Sequence, residues 1–167
     1  FNFPGHLPNG HIMPALLAGN TIVFKPSELT PLLAIKMIEC WQAAELPPGV
    51  LNLVLGSAAV GKQLIQSDQI DAVFFTGSYE VGHKIQELSL NYPHRIVAAE
   101  MGGNNPLVIY KPGNIDAAVY TTLLSAFSTA GQRCTCARRL IVYKDSVGEK
   151  FVQQLIAATT RIKVGAY

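Results

Sequence analysis

Short apolar runs alternate regularly with stretches of helical periodicity, and this alternation constrains the fold more than any other feature of the chain. The apolar runs fall at residues 20–25, 50–55, 70–76, 95–100, 107–110 and 139–143. The helical stretches lie between and after them, at residues 31–46, 58–66, 80–90, 114–130 and 146–160. Buried strands that alternate with helices are typical of a parallel sheet. The sequence therefore predicts an α/β fold with a doubly wound parallel sheet.

Proline and glycine mark the ends of several elements. Thr30 is placed to cap a helix whose first residue is Pro31, and a Pro-Pro-Gly run follows the end of that helix. The pair Gly102-Gly103 forms the most natural boundary between two lobes. We therefore expect part of one domain over residues 1–101 and the first part of a second domain over residues 102–167; a single continuous domain is the alternative that the pattern also allows.

The composition argues against several classes of protein. Hydrophobic residues make up 49% of the 167 residues, and the net charge of +2 is spread along the chain without the basic stripe of a nucleic-acid-binding protein. No apolar run is long enough to cross a membrane, and no secretion signal is visible. Three cysteines do not form a disulfide framework, which favours the reducing cytoplasm. Because the chain begins without Met, we interpret it as part of a longer polypeptide.

Three residues that are far apart in sequence are candidates for catalysis. Cys134 follows a long helical stretch, and three nearby arginines would favour its nucleophilic thiolate. Glu100 ends an apolar run beside glycines, where burial would suit a general base. Asn2 has a side-chain amide that can donate to a developing oxyanion. Taken singly, these residues also fit the roles of a small buried residue, a solvated strand-end carboxylate and a turn residue.

Other histidines and cysteines fit structural roles better. His6 and His11 are five residues apart, which does not place both on one helix face, and no acidic or thiol partner is near, so we expect no metal site. One residue separates Cys134 from Cys136, which would strain a disulfide, so we interpret Cys136 as a packed neighbour. Cys40 lies beside the single tryptophan in an apolar helical pattern and is expected in the core.

Five motifs occur together in a fixed order. They are Asn2-Phe3-Pro4, Lys25-Pro26-Ser27-Glu28, Phe75-Thr76-Gly77-Ser78 with Gly82, Glu100-Met101-Gly102-Gly103, and Gly131-Gln132 followed by Cys134. In this order and spacing they resemble the aldehyde dehydrogenase superfamily over the whole chain. Residues 3–11, 102–106 and 134–139 resemble the branch of that family that oxidises N-succinylglutamate 5-semialdehyde in bacterial arginine breakdown. Asn104-Asn105 and Thr129 depart from the general family pattern.

The resemblance implies both a fold and a mechanism. Part of a cofactor-binding lobe would be followed by the first part of a catalytic lobe. Cys134 would attack the aldehyde, while the Asn2 side chain and the Cys134 backbone N–H form the oxyanion hole. After hydride transfer to the nicotinamide, Glu100 would activate the water that hydrolyses the thioester. The reaction would be the oxidation of an aldehyde to a carboxylic acid.

The resemblance also implies where the cofactor binds. The Lys25–Glu28 motif follows a strand and would contact the adenine ribose, where the Glu28 carboxylate would repel a 2′-phosphate and so favours NAD over NADP. The stretch that begins at Gly77 joins a strand to a helix, whose first N–H groups can bind a pyrophosphate. The cofactor-binding residues expected on these grounds are Lys25, Ser27, Glu28, Gly77, Ser78, Tyr79, Glu80, Val81, Gly82 and Gly102.

Two alternatives remain open at this point. An acylating relative would pass the thioester to coenzyme A or phosphate, but Glu100 favours hydrolysis because a thiol acceptor needs no base for water. The isolated chain could instead be a non-catalytic nucleotide-binding module, because the segments that complete the family's site would lie outside it, and we expect it to be inactive alone. Arg138 and Arg139 are candidates for binding a small anionic aldehyde. The parent protein is expected to be a homo-oligomer.

Overall fold

The computed structural model describes residues 1–165, which form six strands, six α-helices and one short irregular segment. The strands are β1 (Ile22–Phe24), β2 (Leu51–Leu53), β3 (Ala72–Gly77), β4 (Ile96–Met101), β5 (Asn105–Ile109) and β6 (Ala137–Val142). The helices are α1 (His6–Leu17), α2 (Pro31–Ala43), α3 (Ala58–Ile65), α4 (Tyr79–Ser89), α5 (Ile115–Phe127) and α6 (Ser146–Thr159). The irregular segment, Ser128–Gly131, directly follows α5.

The chain divides into two compact units, one made of Phe1–Met101 and the other beginning at Gly102. In the first unit β1 pairs with β2 and β3 pairs with β4, and in the second β5 pairs with β6. All three pairs are parallel, and each is connected through one helix, so residues 1–165 contain three βαβ units. The predicted α/β class and parallel strand pairing are confirmed. Within residues 1–165 the strands form three separate two-stranded ladders.

Side-chain caps explain where four of the helices begin. Ser57, Ser78, Asn114 and Asp145 each precede a helix and accept a hydrogen bond from a backbone N–H of its first turn. Thr30 is the N-cap residue of α2, as predicted, although its side chain makes no capping hydrogen bond. The start of α2 depends instead on Pro31, whose fixed φ angle suits the first helical residue.

The first helix, α1, was not predicted from the sequence. It contains Pro8 and Pro14, and proline lowers helix propensity in a helix interior. Two observations explain why the segment is nevertheless helical. Ile12 is buried, and the His11 ring stacks on the Phe74 ring of β3 with 5.3 Å between the ring centroids. Packing within the first unit therefore overrides the local propensity of this segment.

Cys40 is exposed in α2, so the prediction that it lies in the core is wrong. The helix buries Ala34 and partly buries Ile38 and Trp41, which follow the spacing of a single helix face. Cys40 is two residues from Ile38, which places it on the opposite side of the helix. The apolar character of the residues around Cys40 misled the sequence prediction.

The core of the second unit lies where α5 and α6 contact the β5–β6 pair. Phe151 is fully buried there, against Ile109 and Val119. The partly buried residues packed around these three are Leu107, Ile115, Ala118, Leu123, Val142, Leu155 and Ala158. Burying an apolar side chain of this size contributes on the order of 1.5–3 kcal/mol to stability. This core supports β5 and β6, which flank the segment that contains Cys134.

No helix among residues 1–165 is long and apolar enough to cross a membrane. In the same residues, no group of three or more His, Cys, Asp or Glu side chains is arranged to hold a metal ion. His6 packs edge-on against the Phe3 ring.

Candidate active site

Cys134 lies in a four-residue turn, Arg133–Cys136, which we call the cysteine turn. The Cys136 N–H closes the turn by donating to the Arg133 carbonyl oxygen at 3.2 Å. Cys134 is half-buried and Cys136 is 2% exposed, and both are free thiols. The expectation that Cys136 is a packed neighbour agrees with its burial. The turn therefore presents one accessible thiol and anchors the other inside the unit.

Asn105, at the start of β5, holds the cysteine turn from the neighbouring strand. Its side-chain Nδ2 donates to the Cys134 carbonyl oxygen at 2.6 Å and to the Cys136 carbonyl oxygen at 3.1 Å. Gly103 makes room for this arrangement, because a Cβ atom there would lie 2.8 Å from Asn105 Oδ1 and 3.1 Å from the Cys134 carbonyl oxygen. The sequence analysis missed this role of Asn105, because the bonded residues are 29 and 31 positions apart.

The arginines near Cys134 bond to groups of their own unit. Arg138 Nη2 donates to the Gly131 carbonyl oxygen at 2.6 Å, and Arg139 Nε donates to the Asn104 carbonyl oxygen at 3.1 Å. Arg133 Nε donates to Thr129 Oγ1 at 2.9 Å. A guanidinium carries five N–H donors, and each of these bonds engages one of them and orients its arginine. Binding of substrate carboxylates by Arg138 and Arg139 stays a prediction.

The backbone that leads into the cysteine turn adopts an unusual conformation. Three consecutive residues, Thr129, Ala130 and Gly131, have φ angles of 53°, 55° and 67°. This left-handed region suits glycine but is unfavourable for the β-branched Thr129. It also ends α5 at Phe127, three residues before the predicted end. Residues that are held in this region cluster at functional sites in proteins.

Glu100 and Asn2 belong to the first unit. Glu100 lies near the end of β4, where it is paired with Thr76 of β3, and it is exposed. The expectation of a buried carboxylate is therefore wrong. Neighbouring side chains of a strand point to opposite faces, so Glu100 lies on the other face of β4 from the partly buried Ala99 and Met101. Asn2 is half-buried and precedes α1.

The Lys25–Glu28 motif follows β1 directly, at the carboxyl end of a parallel strand. Lys25 Nζ donates to the Pro26 carbonyl oxygen at 2.9 Å and lies 3.7 Å from Glu28 Oε2. The Lys25 side chain is 17% exposed, whereas the Glu28 side chain is 62% exposed. Ser27 Oγ accepts a bond from the Leu29 N–H. A largely exposed carboxylate beside an oriented ammonium group suits the hydroxyls of a ribose.

The second predicted cofactor segment joins β3 to α4. Gly77 ends β3, and Ser78 caps α4 by accepting from the Val81 N–H at 3.4 Å. Tyr79 and Glu80 form the first turn of the helix, whose N–H groups can bind an anion. This segment and the Lys25–Glu28 motif each follow the carboxyl end of a parallel strand, where open α/β sheets bind their ligands.

Glycines keep the backbone of this segment close to its neighbours. A Cβ atom on Gly82 would lie 2.7 Å from the Met101 Sδ atom, and one on Gly77 would lie 2.3 Å from the end of the Phe75 ring. Gly102 differs, because a Cβ atom there would meet nothing within 4 Å. Binding of a dinucleotide by the exposed Gly77-Ser78 turn and the Lys25–Glu28 motif stays a prediction.

Comparison with known proteins identifies the family. The sequence pattern described as the aldehyde dehydrogenase family matches residues 1–167. This chain belongs to the aldehyde dehydrogenase family. It is 55% identical to an N-succinylglutamate 5-semialdehyde dehydrogenase of Hahella chejuensis and 53% identical to one of Escherichia coli, in each case over all 167 residues. The match covers 34% of each relative, so the chain spans about a third of their length.

Solved structures of the family agree with the fold. An aldehyde dehydrogenase from Brucella melitensis superposes with a TM-score of 0.90 at 36% identity, covering 98% of this chain and 34% of that one. An NADP-dependent enzyme of E. coli superposes with a TM-score of 0.92 at 38% identity, again covering 98% of this chain and 34% of that one. PnpE from Pseudomonas sp. WBC-3 superposes with a TM-score of 0.92 at 35% identity, covering 98% of this chain and 34% of that one. One of its structures was solved with nicotinamide adenine dinucleotide. These neighbours thus include one enzyme described as NADP dependent and one solved with nicotinamide adenine dinucleotide.

Proposed function

We propose that the protein containing this chain oxidises an aldehyde to a carboxylic acid with a nicotinamide dinucleotide. The observation that carries this proposal is the cysteine turn, which presents the half-buried free thiol of Cys134 while Cys136 and Asn105 hold the backbone. A fixed, accessible thiol suits a nucleophile that must reach a substrate carbonyl. Family membership supports the same reaction class.

Each catalytic residue has a proposed role. Cys134 forms a C–S bond to the aldehyde carbon, and its backbone N–H together with the Asn2 side chain stabilises the negative charge on the oxygen. A bound nicotinamide dinucleotide supplies the acceptor for the hydride of the aldehyde carbon. Glu100 takes a proton from the water that attacks the acyl carbon, which breaks the C–S bond and releases the carboxylic acid. The exposed position of Glu100 in the first unit is compatible with proton exchange with solvent.

We propose that residues 1–101 carry part of the dinucleotide site and that the catalytic lobe begins at Gly102. Lys25 and Glu28 would hold the adenine ribose, with Ser27 between them fixing the turn. Gly77 and the first residues of α4 would hold the pyrophosphate, because helix-start N–H groups favour anions. The Glu28 carboxylate supports NAD over NADP, since it would repel a 2′-phosphate. The remaining residues of this proposed site are Ser78, Tyr79, Glu80, Val81, Gly82 and Gly102.

We propose N-succinylglutamate 5-semialdehyde as the substrate, in a cytoplasmic, homo-oligomeric enzyme. The support is that both relatives at 53–55% identity carry that substrate in their names. The isolated chain, which spans about a third of those relatives, is expected to be inactive because it lacks counterparts of the rest of their length.

The test is reduced-nicotinamide formation by the full-length protein, given N-succinylglutamate 5-semialdehyde and either NAD⁺ or NADP⁺, with a simple aliphatic aldehyde in parallel. Cys134→Ala should abolish turnover, whereas the matched variant Cys40→Ala, which changes an exposed thiol, should retain it. Turnover of the simple aldehyde alone would reject the substrate. Dependence of product release on added coenzyme A would reject hydrolysis in favour of acyl transfer. Activity that survives in Cys134→Ala would reject the mechanism.

A further inference from the structure

The cysteine turn fixes both peptide planes that flank Cys134. The first plane contains the Arg133 carbonyl and the Cys134 N–H, and it is held because that carbonyl accepts from the Cys136 N–H. The second plane contains the Cys134 carbonyl, which accepts from Asn105 Nδ2 at 2.6 Å. A peptide unit is planar, so fixing its carbonyl also fixes its N–H. The direction of the Cys134 N–H is therefore set by bonds within the second unit.

We propose that Asn105 is a positioning residue for the nucleophile, and this inference rests on the proposed function. Asn105 opens β5 at a point where the register with β6 shifts, between Asn105 and Pro106. Its side-chain amide spans the turn by bonding the carbonyls of Cys134 and Cys136. An amide NH₂ has two donors, and this geometry uses them on the two sides of Thr135.

The positioning role follows from what the proposed chemistry requires. The Cys134 thiol must attack the carbonyl carbon of the substrate while the Cys134 backbone N–H donates a hydrogen bond to the oxygen of the same carbonyl group. Asn105 holds the carbonyls of Cys134 and Cys136, and the Cys136 N–H in turn holds the Arg133 carbonyl, whose peptide plane carries the Cys134 N–H. Loss of the Asn105 bonds would loosen the turn and let that plane rotate, which changes the direction of the N–H relative to the thiol. Asn105 acts through the backbone and is not itself required to touch the substrate.

Neighbouring residues make room for the Asn105 side chain and hold the backbone before it. Gly103 leaves space for the Asn105 amide, because a Cβ atom there would lie 2.8 Å from Asn105 Oδ1. Arg139 Nε donates to the Asn104 carbonyl oxygen, which fixes the backbone just before Asn105. Asn104 itself is exposed and provides a matched control position for substitutions.

The test compares Asn105→Ala, Asn105→Asp and the control Asn104→Asp in the full-length protein. Asn105→Ala should lower kcat by about 10- to 100-fold, the effect expected from misplacing a reacting group by roughly 1 Å, with the KM values for aldehyde and dinucleotide unchanged. Asn105→Asp should lower kcat as well, because a carboxylate cannot donate to the two carbonyls. Asn105→Ser, which keeps a shorter donor, should recover part of kcat. Asn104→Asp should retain the wild-type kcat.

A second readout does not depend on turnover. The rate of alkylation of Cys134 by iodoacetamide is followed against pH by mass spectrometry of the peptide that contains it. Asn105→Asp should shift this profile to higher pH, because a nearby carboxylate disfavours the thiolate, whereas Asn104→Asp should shift it less. Asn105→Ala adds no charge and should leave the profile in place while kcat falls.

The outcomes separate the two proposals. Wild-type kcat in Asn105→Ala would overturn the positioning role, as would equal alkylation shifts in the two Asp variants. A fall in kcat that is matched by lost dinucleotide binding in both Asn105→Ala and Asn105→Ser would also overturn it, because the role would then be general structural support. If the wild-type protein turns over no aldehyde, the proposed function fails, and the alkylation profiles still decide whether Asn105 controls Cys134.

Discussion

Replacing Gly131 by alanine tests how the backbone in front of Cys134 is held. Gly131 is buried and has a φ angle of +67°, in the left-handed region that is unfavourable for residues with a Cβ atom. That conformation costs a residue such as Ala about 1–2 kcal/mol relative to glycine. The added Cβ atom would also lie 2.9 Å from the backbone carbonyl oxygen of Ala126. Because a backbone atom cannot move away by changing rotamer, overpacking adds about 1–3 kcal/mol.

Gly19 offers a matched control for this experiment. It has a similar φ angle of +82°, but a Cβ atom there would meet nothing within 4 Å. Gly19→Ala should therefore cost only the conformational part, about 1–2 kcal/mol. Gly131→Ala should cost about 2–5 kcal/mol, the sum of the conformational and steric contributions. The difference between the two variants measures the contact with Ala126.

The assay is urea denaturation of both variants, in which a shift of the midpoint at constant slope reports a change in the free energy of unfolding. Turnover by the full-length protein is measured in parallel. The Gly131 carbonyl oxygen accepts from Arg138 Nη2, so a displaced Gly131 should disturb the cysteine turn and lower kcat, whereas Gly19→Ala should not. Equal destabilisation of the two variants, or wild-type kcat in Gly131→Ala, would refute the reasoning.

Three further predictions concern the proposed site and the core. Glu100→Gln should slow steady-state turnover but leave a rapid first burst of reduced nicotinamide in stopped-flow measurements, because only the hydrolytic step needs the base; loss of the burst would contradict its role. Glu28→Gln should raise the ratio of kcat/KM with NADP⁺ to kcat/KM with NAD⁺, and an unchanged ratio would remove the repulsion argument. Phe151→Ala should lower the free energy of unfolding by about 3–5 kcal/mol in denaturant titrations. The adjacent Val152 is 37% exposed, so Val152→Ala should lower the free energy of unfolding by less than about 1 kcal/mol. A loss as large as that of Phe151→Ala would contradict the placement of Phe151 in the core.

Elements with strong local signals could be predicted from the sequence. Helix α4 is an example, because Ser78 provides a cap and the segment after it has a clear apolar face that buries Gly82 and Ile85. Strand β3 before it is a continuous apolar run between turn residues. In both cases the local pattern and the packing favour the same conformation, so the predicted bounds differ from the observed ones by at most two residues.

The features that escaped prediction depend on contacts between distant residues. The α1 helix is held by the His11–Phe74 stacking contact, which joins residues 63 positions apart and leaves no local pattern. The left-handed backbone at Thr129 and Ala130 also has no local signal, since neither residue favours that conformation. The bonds from Asn105 connect β5 to the turn that precedes β6, and they become visible only when the pairing of these two strands is known.

The proposed nucleophile is fixed through its backbone, and this has a chemical consequence. Bonds from Asn105 and Cys136 hold the main chain on both sides of the thiol, and the buried Cys136 side chain anchors the turn in the second unit. A side chain that is not itself the anchor can rotate toward a substrate and form a covalent bond while the main chain stays in place. The Cys134 N–H then keeps its direction through attack and hydrolysis, so one preorganised donor can stabilise the oxyanion in both steps of the proposed reaction.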